Sequence, residues 1–245
     1  MIAMVYSNYY SWVADLLRES GRFDQVMHRF AFDLPDFADV YWLPVGHALR
    51  LLDLGYNFAP EFPYANWWTQ YSFQKWCWAN DVPDSGPIFG KVADFKHPTL
   101  DAQAYPSGQS FRDALFYNQV YDSPVVISEI VDFTAEARFF VANGQITTGS
   151  WYRTWSGDWD GLDEQPFWLQ DAKRYAQSQV DKMGHDQPNG YSIDVGLADE
   201  WRIVECNPAW ASNPYGSEAT GFADCLIASF QPGESSWFPD PYTDL

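Results

Sequence analysis

Apolar residues recur at helical spacing in several parts of the chain. The clearest run has an apolar residue at every third or fourth position, and it consists of Leu169, Ala172, Ala176, Val180 and Met183. This pattern is typical of an amphipathic helix that covers a sheet. Gly184 follows directly and is suited to ending that helix. Further helices are predicted over residues 12–19, 47–54 and 219–230.

Short apolar runs and alternating runs predict strands between these helices. The predicted strands cover residues 38–43, 88–92, 123–133, 135–142, 145–153, 191–197 and 201–206. Asn143-Gly144 separates two of them and is the strongest short signal for an antiparallel hairpin. Residues 94–110 are expected to form a mobile loop, and Asn207-Pro208 is expected to end the last strand.

Residues 64–78 are rich in tryptophan, tyrosine and phenylalanine. Such side chains either stack on a ligand or pack in the core and between lobes. We favour packing for this segment.

Composition and charge restrict the classes of partner. The chain has 245 residues, of which 47% are apolar and 19% aromatic, which is enough for a packed core. The formal charge of −19 disfavours nucleic acid and anionic membranes as partners, because both require positive surface. A nucleotide is not excluded, since Mg²⁺ and a few cationic side chains can neutralise a triphosphate inside an acidic protein.

Motifs of several other enzyme classes are missing from the sequence. The three cysteines form no CxxC pair, and the four histidines have no zinc-binding spacing. The chain contains neither a GxSxG nucleophile elbow nor a GxxxxGK[ST] phosphate loop. The N-terminal residues lack the pattern of a signal peptide, and no apolar run is long enough to span a membrane. We therefore expect a cytoplasmic protein.

Oxygen-bearing side chains cluster on the last two predicted strands. SIDVG carries Asp194, and IVECNP carries Glu205 and Asn207 two residues apart, so that these last two share one face. Mg²⁺ prefers carboxylate, amide and phosphate oxygens as ligands. Ordinary polar residues at a strand end are the alternative for any one of them, but all three in this order favour a site for metal-bridged phosphates.

Four cations are candidates for contact with anions. Arg138 shares a strand face with Glu136, so its planar fork suits either a phosphate or an ion pair within the sheet. Lys91 and Lys96 suit phosphates, with a solvated surface position as the alternative. Arg153 is a second cation for a reacting carboxylate, again with an ordinary surface position as the alternative.

The segment VVISEIVDF is an apolar run that ends in acidic residues. A strand that opens into a linker offers adenine its backbone N–H and C=O groups, and Glu129 is placed to reach the exocyclic amine or a ribose hydroxyl. An ordinary sheet strand is the alternative.

Taken in order, these segments resemble the ATP-grasp superfamily over residues 87–230. The segments are FGKVADFK with Lys91 and Lys96, SEIVDF, EARFFVANGQI, SIDVG and IVECNP. The most specific part is DVG followed closely by VECNP and then by Tyr215. Within the superfamily, the likeness is closest to the small ATP-grasp proteins of phages and bacteria.

The resemblance implies an α+β fold with two lobes, whose antiparallel sheets and helices enclose a nucleotide cleft. It implies a reduced α/β region over residues 1–85 and an ATP-grasp domain over residues 86–245. The boundary between the two lobes of that domain is expected near residue 128.

The resemblance also implies ATP and Mg²⁺ as cofactors and assigns residues to them. The implied nucleotide-binding residues are Lys91, Lys96, Glu129, Ile130, Val131, Glu136 and Arg138. The implied metal ligands are Asp194, Glu205 and Asn207. The implied catalytic residues are Arg138, Lys96 and Arg153.

The implied reaction is attack of a carboxylate on the γ-phosphate of ATP, followed by displacement of phosphate by an amine. Positioning and neutralisation of charge supply most of the catalysis in such chemistry, so no catalytic histidine or cysteine is required. The expected partners are ATP, a carboxylate and an amine acceptor, either a small molecule or a protein. Two alternatives remain open: an ATP-grasp protein that binds nucleotide without turnover, and an aromatic-rich binding module.

Overall fold

A computed structural model describes residues 1–30, 37–53, 60–94, 97–154, 157–158 and 166–230. These residues form three sheets and six α-helices. Within the described ranges, no helix has the length and apolar character needed to cross a membrane.

The N-terminal region is a small parallel sheet of three strands with the order β2-β1-β3. Its elements are β1 (Ile2–Tyr6), α1 (Ser11–Glu19), β2 (Gln25–Arg29), β3 (Val40–Trp42) and α2 (Val45–Asp53). Both helices and β3 were predicted from the sequence, whereas β1 and β2 were not. Because β1 is central in the sheet and almost entirely buried, it lacks the alternation that identifies a half-exposed strand.

The second sheet is antiparallel, with the order β4-β7-β5-β6. Its elements, with the helices next to them, are α3 (Ala65–Trp68), β4 (Lys75–Trp78), β5 (Ile88–Val92), β6 (Gln103–Tyr105), α4 (Gly108–Tyr117) and β7 (Pro124–Ser128); short 3₁₀ turns cover Thr69–Tyr71 and Ala79–Asp81. The domain boundary at residue 85 stays a prediction, although this sheet already includes β4. Trp68 is 2% exposed and packs in the core, as expected for the aromatic segment.

Two predictions in this sheet were wrong. Residues 94–110 are not one loop, since their described part contains β6 and the first turn of α4. The helix begins there because Ser107 Oγ accepts a hydrogen bond from Ser110 N at 3.1 Å and so caps its first turn. The strand predicted over residues 123–133 ends at Ser128.

The third sheet is also antiparallel, with the order β10-β9-β8-β11-β12. Its elements, with the helices that pack on it, are β8 (Ala135–Ala142), β9 (Gln145–Thr154), β10 (Gly157–Asp158), α5 (Pro166–Met183), β11 (Gly190–Leu197), β12 (Trp201–Pro208) and α6 (Ala219–Ala228); 3₁₀ turns cover Gly184–Asp186 and Ala209–Ala211. The predicted hairpin is confirmed, with both turn residues at positive φ. The predicted break at Asn207-Pro208 was wrong, because β12 continues to Pro208.

The two faces of this sheet have different coverings. Helix α5 packs on the face that carries Phe139 and Ile193. On the other face, Phe140 packs against Phe222 of α6 with a ring-centroid distance of 4.9 Å. That second face therefore has an apolar part under α6, and its neighbouring positions on β8, β11 and β12 carry the charged residues described below.

Candidate functional site

A row of polar residues crosses four strands of the third sheet on one face. The antiparallel register places Arg138 opposite Asp194, and Asp194 opposite Glu205. On the other side of Arg138, Ser150 occupies the paired position on β9. Residues at paired positions of adjacent strands point to the same face of a sheet. The fold therefore brings together a cation and two carboxylates that are far apart in sequence.

Arg138 and Asp194 form a buried ion pair. Arg138 Nε and Nη2 donate to the two carboxylate oxygens of Asp194, each at 2.7 Å. The two residues are 8% and 0% exposed. Burial raises the pKa of Asp194 to about 6, although Arg138 acts in the opposite direction. Burial alone would lower the pKa of Arg138, but the Asp194 carboxylate raises it above its ordinary value, so the guanidinium stays charged.

A second ion pair connects this row to the other antiparallel sheet. Lys91 Nζ of β5 lies 2.6 Å from Glu205 Oε2 of β12. Glu205 Oε1 accepts a hydrogen bond from Asn207 Nδ2 at 2.8 Å and lies 3.9 Å from Arg138 Nη2. Burial by itself would raise the pKa of Glu205, but Lys91 and Arg138 lower it to about 2. Glu205 is therefore a permanent anion between two cations.

A cavity of about 660 Å³ opens beside this second ion pair. Its lining comes from the segment before β4, from β5 and the residues after it, and from β12: Phe62, Pro63, Ala65, Trp68, Lys91, Val92, Asp94, His97, Leu100, Asp101, Ala102, Glu205, Cys206 and Asn207. The volume lies in the range of small-molecule sites. The Trp68 ring forms part of the wall, with Lys91 Nζ 5.6 Å from its centroid.

Asp94 is a cavity residue that the sequence did not indicate. Its Oδ1 accepts a hydrogen bond from Ala65 N at 2.6 Å, which joins the end of β5 to the start of α3. Its φ of +63° is uncommon for a residue other than glycine. Burial raises the pKa of Asp94 to about 6, and the Lys91 charge only partly offsets this. An aspartate in a stretch expected to be a loop carries no signal of burial, so only the fold could identify it.

Residues Glu129, Ile130 and Val131 lie elsewhere along the same cleft. They follow the end of β7, and β7 pairs Ser128 with Phe89 near the start of β5. Glu129 forms an exposed ion pair with Arg202 of β12 at 2.5 Å. Arg202 precedes Glu205 by three residues, or roughly 10 Å of strand. These linker residues are therefore apart from the cavity.

The remaining predicted residues occupy the rim of the charged row. Glu136 accepts hydrogen bonds from Tyr152 Oη and from Arg153 Nη1, both at 2.6 Å. The Arg153 side chain is 48% exposed. Lys96 lies outside the described residues.

A ready-made cluster of metal ligands is not present. Across the described ranges, no three His, Cys, Asp or Glu side chains are grouped as for a metal ion. Asp194 uses both carboxylate oxygens on Arg138. Glu205 and Asn207, however, both line the cavity and offer oxygen atoms of the kind that Mg²⁺ prefers.

The fold is that of ATP-grasp proteins. The structure aligns with D-cycloserine synthetase at a TM-score of 0.54 and 12% identity, over 93% of this chain and 99% of that one. It aligns with N5-carboxyaminoimidazole synthetase from Staphylococcus aureus, crystallised with ADP, at a TM-score of 0.51 and 10% identity, over 94% and 78% of the two chains.

The sequence itself identifies the family. Residues 74–225, more than half of the chain, match the sequence model of an ATP-grasp domain, the second family of its clade. The chain belongs to this family of ATP-grasp domains. No curated protein matches its sequence.

Proposed function

We propose that this protein is a Mg-ATP-dependent ligase that activates a carboxylate as an acyl phosphate and joins it to an amine. The observation that carries the proposal is the contact between Lys91 and Glu205. It brings a cation from one antiparallel sheet and an anion from the other to the edge of a cavity of about 660 Å³. A cleft between two sheets, with charges from both, suits a triphosphate and its metal ion.

Glu205 and Asn207 are the residues that would hold Mg²⁺. Both carry oxygen atoms, both line the cavity, and Glu205 remains ionised because Lys91 and Arg138 lower its pKa to about 2. Asp194 would join them only by giving up part of its pairing with Arg138. When bound, Mg²⁺ supplies positive charge that neutralises phosphate oxygens.

The two ends of the cleft suit different parts of the substrates. We assign the linker Glu129–Val131 to adenine and ribose, because it lies beside Phe89 and Arg202, away from the cavity. Lys91, and Lys96 by its sequence position, would bind phosphates between these ends. The cavity would then hold the carboxylate and the amine acceptor.

Arg138 and Arg153 are the proposed catalytic cations. Arg138 is held next to Glu205, where it would neutralise charge that develops on the transferred phosphoryl group. Arg153 lies at the exposed rim and would attract the substrate carboxylate. In this reaction the carboxylate oxygen forms a bond to the γ-phosphorus as ADP leaves, and the amine then displaces phosphate from the acyl group.

Ligand-dependent thermal stability tests the nucleotide site directly. At 100 times its dissociation constant, Mg-ATP should stabilise the wild type by about 2.7 kcal/mol, a rise in Tm of roughly 5–10 °C. We expect Glu205→Gln to lose most of this rise, because the change removes the anion between Lys91 and Arg138. Glu19→Gln, the same change at an exposed position of α1, is the matched control and should respond like the wild type.

The outcomes separate the alternatives. Stabilisation by Mg-ATP, followed by release of ADP with a carboxylate and an amine, supports the ligase. Stabilisation without ADP release across a broad panel of acceptors supports a nucleotide-binding protein without turnover. If calorimetry also detects no ATP binding to the wild type, the proposal is wrong and a binding module is the better description.

A further inference from the structure

The guanidinium of Arg138 lies against two tyrosine rings. Its central carbon is 5.6 Å from the ring centroid of Tyr152 and 5.3 Å from that of Tyr215. The rings stack on each other at 5.2 Å with an interplanar angle of 17°. Cations are attracted to aromatic faces by the quadrupole of the ring. The three groups therefore form a triangle in which each contacts the other two.

The loop that carries Tyr215 also contacts the guanidinium through its backbone. Arg138 Nη1 donates to Asn213 O at 3.4 Å, a long hydrogen bond. The Asn213 side chain in turn accepts a hydrogen bond from Tyr215 N at 2.9 Å. Trp42 of the N-terminal sheet donates to Ser212 O at 2.8 Å and anchors the start of the loop. This loop is thus fixed at both the N-terminal sheet and the charged row.

Tyr215 has an unusual backbone conformation. Its φ is +50°, in the left-handed region, which bulky side chains rarely adopt. Such a conformation persists only where surrounding contacts hold it, and it often marks a functional position. Here the contacts are the Asn213 side chain and the stacking of the ring on Tyr152.

The contacts leave part of Arg138 available to a ligand. A guanidinium has five N–H donors, of which two are bonded to Asp194 and one reaches Asn213 O. Among the residues with described positions, no acceptor within hydrogen-bond distance meets the other two. Nη2 also lies 3.9 Å from Glu205 Oε1, so this edge of the group faces the carboxylate that lines the cavity.

Glu205 is also the obvious competitor for Arg138. A shift of less than 1.5 Å would turn the 3.9 Å approach into a direct hydrogen bond. That bond would occupy both the free donors of Arg138 and an oxygen of Glu205. The ring contacts oppose such a shift, because they hold the face of the guanidinium while Asp194 holds its edge.

We propose that Tyr215 is a positioning residue that keeps Arg138 away from Glu205, and that it thereby gives the site its preference for a triphosphate over a diphosphate. The inference rests on the proposed function, in which Arg138 contacts the γ-phosphate. Removal of the Tyr215 ring lets Arg138 collapse onto Glu205, and ATP then loses the contact that ADP never makes.

Calorimetric titration with Mg-ATP and Mg-ADP measures this preference. We expect Tyr215→Leu to weaken ATP binding about tenfold while ADP binding changes less than about twofold. Tyr215→Phe keeps the aromatic face and should retain the wild-type ratio of the two dissociation constants. Tyr121→Leu, which removes an exposed ring on the other antiparallel sheet, is the matched control and should also retain it.

Other results would overturn the inference in distinguishable ways. Equal weakening of both nucleotides by Tyr215→Leu indicates a general structural role, and an unchanged ratio indicates no role. Equal loss in Tyr215→Phe and Tyr215→Leu points to the hydroxyl instead of the ring. If Tyr215→Leu does not fold, Tyr152→Leu compared with Tyr152→Phe must give the selective loss of ATP. A wild type that binds neither nucleotide contradicts the proposed function itself.

Discussion

The charged residues of the cleft alternate in sign from one sheet to the other. Lys91 contacts Glu205, Glu205 lies beside Arg138, and Arg138 pairs with Asp194. Buried charges are tolerated when each has an opposite neighbour, and removal of one partner leaves the other uncompensated. The row is therefore neutral as a unit, and a ligand that binds it must exchange existing ion pairs for new ones.

Two aspartates at the site have pKa values of about 6, in each case chiefly because burial disfavours the anion. Asp94 is the simpler one to test, because Asn at that position keeps an oxygen for Ala65 N. The pKa of Asp94 is higher in the folded than in the unfolded chain, so its contribution to stability is complete below about pH 4 and is lost as the pH rises through 6.

We expect Asp94→Asn to become more stable relative to the wild type as the pH rises. The difference in the free energy of unfolding should grow by about 1 kcal/mol between pH 5 and pH 8. Urea unfolding of both proteins at the two pH values measures it. Asp113→Asn, at an exposed position of α4, is the control and should have no such dependence. A difference that stays constant with pH would mean that Asp94 is not buried as an anion.

At the scale of elements, the β8–β9 hairpin aligns the site. Its turn is set by Asn143-Gly144, and two register shifts follow, one between Phe140 and Val141 and one between Glu136 and Ala137. The first shift places Arg138 opposite Ser150, whereas an unbroken ladder from the same turn would place it opposite Gly149. Bulges of this kind redirect side chains near functional sites. Gly149 instead lies opposite Phe139.

Gly149 has a packing role that alanine substitution should reveal. A Cβ at this position would lie 2.7 Å from Arg138 O and even closer to the Phe139 ring, so the backbone of the charged strand would have to move. We expect Gly149→Ala to cost about 1–3 kcal/mol in the free energy of unfolding. Denaturant unfolding provides the measurement.

Gly46 is the matched control for this change. It lies within α2, and a Cβ added there would meet no atom within 4 Å beyond its own helix and chain neighbours. Gly46→Ala should stabilise by roughly 0.5–1 kcal/mol, since alanine favours the helix. Similar effects from both substitutions would contradict the packing role of Gly149.

At the scale of the whole molecule, the N-terminal region and the third sheet share one core. That core includes Met4, Leu17, Phe140, Trp210 and Phe222. The chain between this region and β4 contributes Phe62, Pro63, Ala65 and Trp68 to the cavity wall. These wall residues precede the matched family segment, which begins at residue 74. Part of the cavity is therefore built by residues outside that segment.

The formal charge of −19 should make stability depend on ionic strength. Repulsion among excess acidic groups opposes the compact state, and salt screens it. Between about 10 mM and 150 mM salt, the Debye length falls from about 30 Å to about 8 Å. We expect Tm to rise over this range, equally in NaCl and KCl. A fall in Tm would mean that screening of the ion pairs outweighs relief of the repulsion.

Much of the site was predicted from the sequence because its signals are local. Spacing at 3.6 and 2 residues per period identified α5 and the strands of the third sheet, and Asn143-Gly144 identified the hairpin. The order of DVG and VECNP indicated the family, which the family match confirms. Residues two apart on one strand, such as Glu205 and Asn207, share a face wherever the strand lies.

Only the tertiary structure decided which charges meet. Lys91 and Glu205 are 114 positions apart, and their contact depends on how two sheets face each other. Asp194 was predicted as a metal ligand without its Arg138 partner, because a strand pattern does not specify neighbouring strands or bulges. The tyrosine contacts of Arg138 and the burial of Asp94 depend on loops packed from distant parts of the chain. Local periodicity fixes which face a residue occupies, whereas packing between elements fixes what it touches.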